Sequence, residues 1–585
     1  MENVEIAEML ERVADLLEIR EANPFRVRAY RNAARTVEFH TAPMERLVAE
    51  EADLTELPGI GQEMARHIRE LVERGALTPY EELSREVPPS LIELMRLPGV
   101  GPKKARKVWQ ALGVETLDAL EAEAKAGRIA ELEGFGEKTQ AQILAGIESY
   151  RRHVSRFRLG DVDPLVRTLL EHLRELPQVE QAEVAGSWRR RRETVGDLDL
   201  LAVATEPGPV MDRFTAFPSV ATVLVTGDTR GSVRLRDGLQ VDIRIVPPES
   251  YGAALVYFTG SKAHNIKLRQ RALERALHVS EYGVFRAPEG GRAEGVEISS
   301  GELVAGRTEE EVYGAVELPW IPPELREDRG EIEAAERGTL PRLVTREDLR
   351  GDLQMHSTWS DGKNSIEEML EACVRHGYEY FAITDHSQAL AMTGGLDEKR
   401  LAEQWAEMEE IQARHDEIRI LRSMEVDILR DGTLDLAEEM LAGLDLVVVS
   451  VHSYFNLPPE EQTERILRAI RHPEVNVLGH PTGRLINRRD PIRFEVEEIL
   501  KVAAELGVAV EINSQPDRLD LKDAHAARAR ELGVKVVIST DAHRASELEF
   551  VRYGVEQARR AWLEPKDVLN ALPLEGLLTA LSGRT

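Results

Sequence analysis

Residues 186–199 read GSWRRRRETVGDLD, and the rest of the chain is organised around them. An apolar run ends at the Gly-Ser pair, four arginines follow, and a second apolar run opens with Asp197, Leu198 and Asp199. Side chains two positions apart in a strand project from the same face, so the two aspartates are predicted to form a carboxylate pair. Such a pair suits Mg²⁺ that arrives with substrate phosphates. The Gly-Ser turn also leaves backbone N–H groups open to a phosphate.

A third acid, Asp242, lies in a run that is predicted to form a neighbouring strand. It alternates with Val241 and Ile243 in LQVDIRI, the pattern of a half-buried strand. Three carboxylates on adjacent strands can hold two metal ions, one beside an attacking hydroxyl and one on a triphosphate. An isolated Asp-x-Asp is more often a solvated strand edge. The Gly-Ser turn and the third acid make the combined pattern specific.

The combination resembles the nucleotidyltransferase palm of family X DNA polymerases. This resemblance implies that Asp197, Asp199 and Asp242 are catalytic and bind Mg²⁺ or Mn²⁺. A second stretch, YFTGSKAHNIKLR at 257–269, is similar to that family's contacts with the nucleotide and the minor groove. Without its flanking motif, the aromatic pair in this stretch would be read as core. The implied nucleotide contacts are Gly186, Ser187, Arg190, Gly196, Tyr257, Phe258, Gly260, Lys262, Asn265 and Arg269.

Length and composition set further bounds. The chain has 585 residues, so several domains are expected. Its single cysteine, Cys373, excludes a disulfide within the chain and favours a reducing cytoplasm. No apolar run has the length of a membrane span, and the charged, amphipathic N-terminus is unlike a signal peptide. Because phosphate binding requires positive surface, the formal net charge of −29 confines it to basic islands at 101–107, 150–158 and 189–192.

The N-terminal part of the chain has helical periodicity and contains an internal repeat. LPGIG, LPGVG and LEGFG begin at residues 57, 97 and 132, and each precedes an amphipathic helix. One copy would be only a Gly-rich helix connection. Three copies resemble helix-hairpin-helix motifs, which hold the DNA backbone at a helix N-terminus without reading sequence. The implied DNA contacts are Gly59, Ile60, Gly61, Gly99, Val100, Gly101, Lys103 and Lys104.

One departure from the family bears on activity. In lyase-competent relatives, a lysine early in the helix after the first hairpin forms a Schiff base with the abasic sugar. His67 stands at that position, and an imidazole cannot form the imine that a lysine amine forms. We therefore do not expect deoxyribose-phosphate lyase activity.

The C-terminal part alternates short apolar runs with helical stretches. Seven such runs end in polar residues, which predicts an α/β barrel with its functional groups at the C-terminal strand ends. The pattern resembles a PHP (polymerase and histidinol phosphatase) domain, which implies a trinuclear cluster of Zn²⁺, Mn²⁺ or Fe. Gln354 replaces the first histidine of the family's His-x-His motif, which weakens one corner of the cluster. The implied ligands are His356, Asp361, His386, Glu425, His452, His480, Asp541 and His543.

The expected fold is therefore multidomain: an all-α helix-hairpin-helix region, an α+β nucleotidyltransferase palm and a distorted (β/α)7 PHP barrel. Prolines and mixed charge after residue 319 predict an extended linker that separates two globular units. The expected boundaries are 1–80 for a small helical domain with the first hairpin, 81–157 for a helical DNA-binding domain, 158–248 for the palm, 249–320 for a subdomain that closes on the nucleotide, 321–347 for the linker and 348–585 for the barrel.

The resemblance implies a monomeric enzyme that binds gapped or nicked DNA and dNTPs and makes no membrane contact. It would fill short gaps in base-excision repair, with a 3′-5′ exonuclease and abasic-site incision from the barrel. Three alternatives stay open. The barrel could be structural only, or it could act on small molecules as a phosphatase, which would need neither hairpins nor palm. A non-catalytic DNA-binding scaffold would not need all three palm acids, which are present here.

Overall fold

The computed structural model describes residues 3–38, 44–49, 52–57, 59–95, 97, 99–154, 156–286, 302–390 and 393–582. The chain divides into two compact units, Met1–Ser155 and Arg156–Thr585. Within the described ranges, no helix is both long enough and apolar enough to cross a membrane.

Helices and the turns that connect them make up the described residues of the first unit. Its core is formed by aliphatic side chains from both halves, such as Leu10, Leu71 and Val108, around the buried ring of Tyr30. The helices are α1 (Asn3–Ile19), α2 (Pro24–Glu38), α3 (Met44–Ala49), α4 (Gln62–Arg74), α5 (Thr78–Glu86), α6 (Leu91–Leu94), α7 (Pro102–Leu112), α8 (Leu117–Lys125) and α9 (Glu137–Val154).

The three repeats of the sequence form three copies of one turn. In each copy the N–H of the central apolar residue donates to the carbonyl of the leading leucine, at 3.1 Å for Ile60, 3.1 Å for Val100 and 3.0 Å for Phe135. The glycine between them has a left-handed backbone, with φ of +76° at Gly59, +81° at Gly99 and +83° at Gly134. The left-handed backbone conformation favours glycine, so the glycine at this position of each repeat determines the turn. The predicted hairpins are confirmed.

The palm opens the second unit. Its main sheet has the order β2-β4-β7-β6-β5, in which β4 and β7 are parallel. The buried side chains of α10 and α12, including Val166 and Phe214, share one core with those of the sheet. The elements are β1 (Phe157–Arg158), α10 (Leu159–Arg174), β2 (Val179–Val184), α11 (Gly186–Arg189), β3 (Thr194–Val195), β4 (Asp197–Ala204), α12 (Pro207–Thr215), β5 (Val220–Thr226), β6 (Arg230–Leu235) and β7 (Gln240–Ile245).

A helical subdomain with a three-stranded sheet follows the palm. Its hydrophobic core includes Val256, Leu268 and the wholly buried Tyr313. Residues 287–301, which belong to the expected closing subdomain, lie outside the described residues. The elements are α13 (Tyr251–Thr259), α14 (Lys262–Leu273), β8 (Leu277–Ser280), β9 (Gly283–Arg286), β10 (Glu302–Ala305) and α15 (Glu309–Ala315).

The prediction of an extended linker over 321–347 is wrong. This segment contains α16 (Glu331–Glu336) and packs within the second compact unit. Arg326 is fully buried, where its Nη1 donates to Glu309 Oε1 at 2.7 Å. Glu331 is also fully buried and accepts from His264 Nδ1 at 2.7 Å. The mixed charge that suggested a solvated linker is instead paired inside the fold.

The remainder forms the predicted barrel. Strands β11–β17 are parallel neighbours in chain order, and a parallel bridge between Met355 and Ala542 joins the two ends. The elements are β11 (Gly351–Met355), α17 (Ile366–Arg375), β12 (Tyr380–Ile383), α18 (Glu398–Gln412), β13 (Arg419–Asp427), α19 (Glu438–Leu441), β14 (Leu446–Ser450), α20 (Pro459–Ile470), β15 (Val477–Leu478), α21 (Val496–Leu506), β16 (Ala509–Asn513), α22 (Asp523–Glu531), β17 (Val536–Ser539), α23 (Val551–Arg560) and α24 (Leu574–Ser582).

Candidate active sites

The three palm acids lie on adjacent strands. Asp199 is directly opposite Asp242 in the parallel pair of β4 and β7. Leu198 is buried while Asp197 is exposed, so the start of the strand alternates as its sequence predicts. Burial raises the pKa of Asp199 to about 6, and the negative charges of Asp197 and Asp242 act in the same direction. A divalent cation would remove this repulsion, so the donor set fits Mg²⁺ or Mn²⁺.

A cleft of about 560 Å³ opens beside Asp197 and Asp199, which line it, whereas Asp242 does not. The cleft brings together residues as far apart in the sequence as Arg156 and Arg269, and nine of the ten expected nucleotide contacts line it. Gly196 is the expected contact that does not. Arg156 and Arg192 also line the cleft and were not predicted as contacts, although both lie in basic islands of the sequence. The lining residues are Arg156, Gly186, Ser187, Arg190, Arg192, Asp197, Asp199, Tyr257, Phe258, Gly260, Lys262, Asn265 and Arg269.

Gly186 shapes the cleft beside the acids. Its φ is +65°, and a Cβ at this position would lie 2.8 Å from Asp199 Oδ2. A side chain would therefore collide with a candidate metal ligand. The glycine starts α11, so the backbone at the start of that short helix approaches the carboxylates closely.

The arginine run at 189–192, a predicted basic island, is partly paired with acids, although Arg190 and Arg192 line the cleft. Arg189 Nη1 lies 2.7 Å from Glu309 Oε1, and Arg191 Nη1 lies 3.2 Å from Asp163 Oδ1. Burial alone would raise the pKa of Glu309, but Arg326 and Arg189 lower it to about 2. Most of this positive charge is therefore paired inside the fold. The side chains of 150–155, in another predicted island, lie outside the described residues.

Tyr257 and Phe258 form an edge-to-face pair with ring centroids 5.1 Å apart. Both rings are half-buried and border the cleft, so they are not interior core aromatics. Asn265 Nδ2 donates to the Tyr257 carbonyl at 2.7 Å. Its buried Oδ1 accepts no hydrogen bond among the described residues. One end of this amide is anchored while the other is available to a ligand.

The eight expected barrel ligands converge at one end of the strands. Glu425 is central: its carboxylate lies 2.8 Å from His480 Nε2, 3.2 Å from His386 Nδ1 and 3.4 Å from His452 Nε2. His356 Nε2 lies 2.9 Å from Asp541 Oδ1. Asp361 and His543 complete the cluster, with 3.4 Å between Asp361 Oδ1 and His543 Nε2.

This donor set fits metal ions. Among the described residues, neither Nδ1 of His356 nor Nδ1 of His480 has a hydrogen-bond partner, and no N–H of the nearby imidazoles is aligned with a carboxylate oxygen of Glu425, although all four atoms are buried. Buried polar atoms in folded proteins are nearly always satisfied, so these lone pairs indicate ligands outside the chain. Mixed nitrogen and oxygen donors suit Zn²⁺, Mn²⁺ or Fe, and geometry selects among them.

Gln354 lies beside the cluster with both amide atoms buried and without a hydrogen-bond partner among the described residues. A Cβ on Gly479, the neighbour of His480, would lie 3.5 Å from Gln354 Oε1. Sequence reasoning did not single out Arg518, whose Nε lies 4.0 Å from Asp541 Oδ2. Arg518 follows β16 in a strand-end loop, and that placement is the signal that could have identified it.

In the hairpins at 57–61 and 97–101, the second glycine differs from the first. Gly61 and Gly101 have ordinary backbone angles, and a Cβ on either would meet nothing within 4 Å. The fold therefore does not require glycine there. Lys104 donates from Nζ to the Gly99 carbonyl at 3.0 Å. His67 is a buried core residue whose Nδ1 lies 3.1 Å from Tyr30 Oη.

Comparisons with known proteins agree with this architecture. Family models described as DNA polymerase beta thumb and PHP domain match residues 254–327 and 352–515. Two others, described as Helix-hairpin-helix domain and SAM-like Helix-hairpin-helix tandem, match 1–77 and 91–149. Over 577 residues, 98% of each chain, the protein is 39% identical to one from Bacillus subtilis (strain 168) named DNA polymerase/3′-5′ exonuclease PolX. The chain belongs to the family X DNA polymerases with a PHP domain.

More distant relatives match separate parts of this family member. It is 24% identical over 347 residues, 56% of each chain, to a Rattus norvegicus protein named DNA polymerase lambda. It is 28% identical over 219 residues to a protein of Thermoanaerobacter sp. (strain X514) named a probable phosphatase, covering 35% of this chain and 84% of the relative.

Proposed function

We propose that the palm extends a primer 3′-hydroxyl with dNTPs in gapped or nicked DNA. The observation that carries this proposal is the register that places Asp199 opposite Asp242 beside a cleft lined by Gly186, Ser187 and Arg190. Backbone N–H groups at the start of a helix and an arginine suit a triphosphate. Carboxylates at one wall suit the cations that accompany it.

The roles follow from position. Asp197 and Asp199 would hold the Mg²⁺ or Mn²⁺ ions, which supply charge neutralisation for the triphosphate and acidity for the primer hydroxyl. Asp242 would lie nearest that hydroxyl. Lys262 and Arg269 bring positive charge to the cleft, Tyr257 and Phe258 would lie against the sugar, and the free Oδ1 of Asn265 would accept from a base edge or a bound water. Gly196, which does not line the cleft, would act only through the adjacent strand.

For the barrel we propose 3′-5′ exonuclease activity, with incision at abasic sites as a second reaction. Its cluster would hold three ions, with Glu425 between its histidines and Asp541 beside His356. Hydrolysis of a phosphodiester needs a nucleophilic water and neutralised charge on phosphate, which clustered metal ions supply. The relative that is named an exonuclease matches 98% of the chain. An isolated small-molecule phosphatase is less favoured, because the phosphatase-named relative matches only 35% of the chain.

We further propose that the hairpins bring both sites to short gaps, as in base-excision repair. Their exposed helix N-termini would bind backbone phosphates without sequence choice. Since Gly61 and Gly101 are not required by the fold, close approach of the DNA backbone supplies a reason for them. His67 is enclosed with Tyr30, so we propose no lyase chemistry at that position.

Primer extension on gapped DNA tests the proposal. The full chain is incubated with end-labelled primer and Mg²⁺ or Mn²⁺, with and without dNTPs. We expect added nucleotides up to the gap length when dNTPs are present and progressive 3′ shortening when they are absent. Neither extension nor shortening with any divalent ion would contradict both assignments, whereas extension alone would identify the barrel as structural.

A further inference from the structure

Arg560, the last residue of α23 in the barrel, makes a buried contact with the palm. The residue is 3% exposed. Its Nη1 donates to the backbone carbonyl of Arg190 at 2.6 Å and to Glu327 Oε1 at 3.1 Å. Its Nη2 donates to Asp523 Oδ2 at 2.7 Å. One guanidinium thus joins the barrel to the arginine turn that borders the nucleotide cleft.

Glu327 extends this contact to the side chain of Arg190. Its Oε1 also accepts from Arg190 Nε at 3.0 Å, and its Oε2 lies 3.5 Å from Arg192 Nη1. Burial alone would raise the pKa of Glu327, but Arg190, Arg560 and Arg192 hold it below its usual range. The carboxylate is therefore ionised, and its charge is shared among three guanidinium groups.

The shared charge has a consequence for the cleft. Arg190 also donates from Nη1 to the carbonyl of Thr259, which precedes the cleft residue Gly260. Arg560 therefore fixes the backbone of Arg190 directly and its side chain through Glu327. Without Arg560, only Arg190 and Arg192 would remain to neutralise the negative charge of Glu327. Less of the positive charge of Arg190 would then remain for a phosphate.

We propose that Arg560 of the PHP barrel is a positioning residue for nucleotide binding by the palm. It holds Arg190 at the cleft and offsets Glu327 so that Arg190 can pair with the triphosphate. This inference depends on the polymerase function proposed above. It assigns the barrel a part in nucleotide addition that is independent of its own metal ligands.

Arg552 provides a matched control. It lies on the same helix, and its Nη2 is 3.5 Å from Asp163 Oδ2 in α10, so it also joins the barrel to the palm. It does not line the cleft. If KM rose only because the interface loosened, substitution of either arginine would raise it. If Arg560 positions Arg190, only substitution of Arg560 would raise it.

The test is steady-state kinetics of single-nucleotide addition on gapped DNA with the full chain. Arg560→Ala should raise KM for dNTP by about tenfold, the loss expected for one charged hydrogen bond, with a smaller change in kcat. Arg552→Ala should leave KM within about twofold, because neither Arg552 nor its partner Asp163 lines the cleft. On an Arg190→Ala background, Arg560→Ala should add little, because both changes remove the same interaction. Exonuclease activity should persist in Arg560→Ala and Arg552→Ala.

An unchanged KM in an active Arg560→Ala chain would overturn the inference, as would an equal rise in Arg552→Ala or a full additional rise on the Arg190→Ala background. If Arg560→Ala does not fold, Arg560→Lys decides. Lysine keeps the charge but cannot bond the carbonyl and both carboxylates in the same fork, so KM should rise measurably above that of the wild type. A wild-type KM for Arg560→Lys would overturn the inference. Failure of the wild-type chain to extend primers would instead contradict the polymerase function itself.

Discussion

Gly186 faces the carboxylate of Asp199, and the missing side chain is what permits their close approach. A Cβ there would lie 2.8 Å from Oδ2, at a backbone φ of +65°. Gly186→Ala should therefore displace the carboxylate and reduce kcat for nucleotide addition by roughly a hundredfold, as a misplacement of about 1 Å can. Gly208→Ala, where a Cβ meets nothing within 4 Å, is the control. Equal activity of the two variants would show that this carboxylate position is not critical.

Gln354 occupies the position of the barrel cluster where the weakest metal ligand is expected. Its amide is buried without a partner among the described residues, and an imidazole nitrogen is a better ligand for Zn²⁺ than a carboxamide oxygen. Gln354→His should retain more metal per chain after dialysis against a chelator. In the wild-type enzyme, exonuclease activity should increase as Mn²⁺ is added. Equal metal retention in the two proteins would place Gln354 outside the coordination sphere.

Glu556 should make stability depend on pH. Burial raises its pKa to about 7, against the opposing effect of Arg191. Between pH 4.5 and about 7 the folded chain keeps a proton that the unfolded chain has released, so stability falls as pH rises. The full shift corresponds to about 3 kcal/mol. Glu556→Gln should flatten this part of the pH profile of unfolding and stabilise the protein above pH 7. A profile identical to that of the control Glu410→Gln, an exposed residue on α18, would contradict the assignment.

At the scale of elements, the two glycines of a hairpin are expected to have different roles, the first in folding and the second in DNA binding. Gly99→Val places a β-branched residue at φ +81°, so it should lower the unfolding temperature and weaken DNA binding together. Gly101→Val occupies open space but replaces the N-cap glycine of α7, so it should weaken binding to gapped DNA while lowering the unfolding temperature much less than Gly99→Val does. Because phosphates supply the affinity, binding should also fall steeply with salt and similarly for any sequence. Loss restricted to particular sequences would contradict backbone binding.

Elements that show a pattern within a short stretch of sequence can be predicted from the sequence. Alternation in β4 places Asp197 and Asp199 correctly, and the repeated glycines predict the hairpin turns. Pairing between distant segments is not visible in the sequence. Arg189 meets Glu309, 120 positions away, and Arg326 is buried in a segment whose prolines and charges resemble a linker. Such partners are found only after the chain folds, which is why the linker was predicted wrongly and the pairing of Arg189 was not predicted.

At the scale of the whole molecule, the palm and barrel lie in one compact unit. Arg484, four residues after His480, donates to Glu193 Oε2 at 2.7 Å, and Asn487 Nδ2 donates to the Arg156 carbonyl at 2.8 Å. The metal ligands proposed for the palm and those proposed for the barrel nevertheless share no residue. Mutation of a ligand should therefore abolish one reaction and leave the other, although the two domains support each other structurally.

The most direct measurement of that claim compares Asp242→Ala and His452→Ala on the same labelled primer in gapped DNA, with Mn²⁺ and with or without dNTPs. We expect Asp242→Ala to shorten the primer without extending it, and His452→Ala to extend it without shortening it. Matching unfolding curves for both variants and the wild type would show that neither result comes from misfolding. If either folded variant lost both reactions, the account of two independent metal sites in one chain would be contradicted.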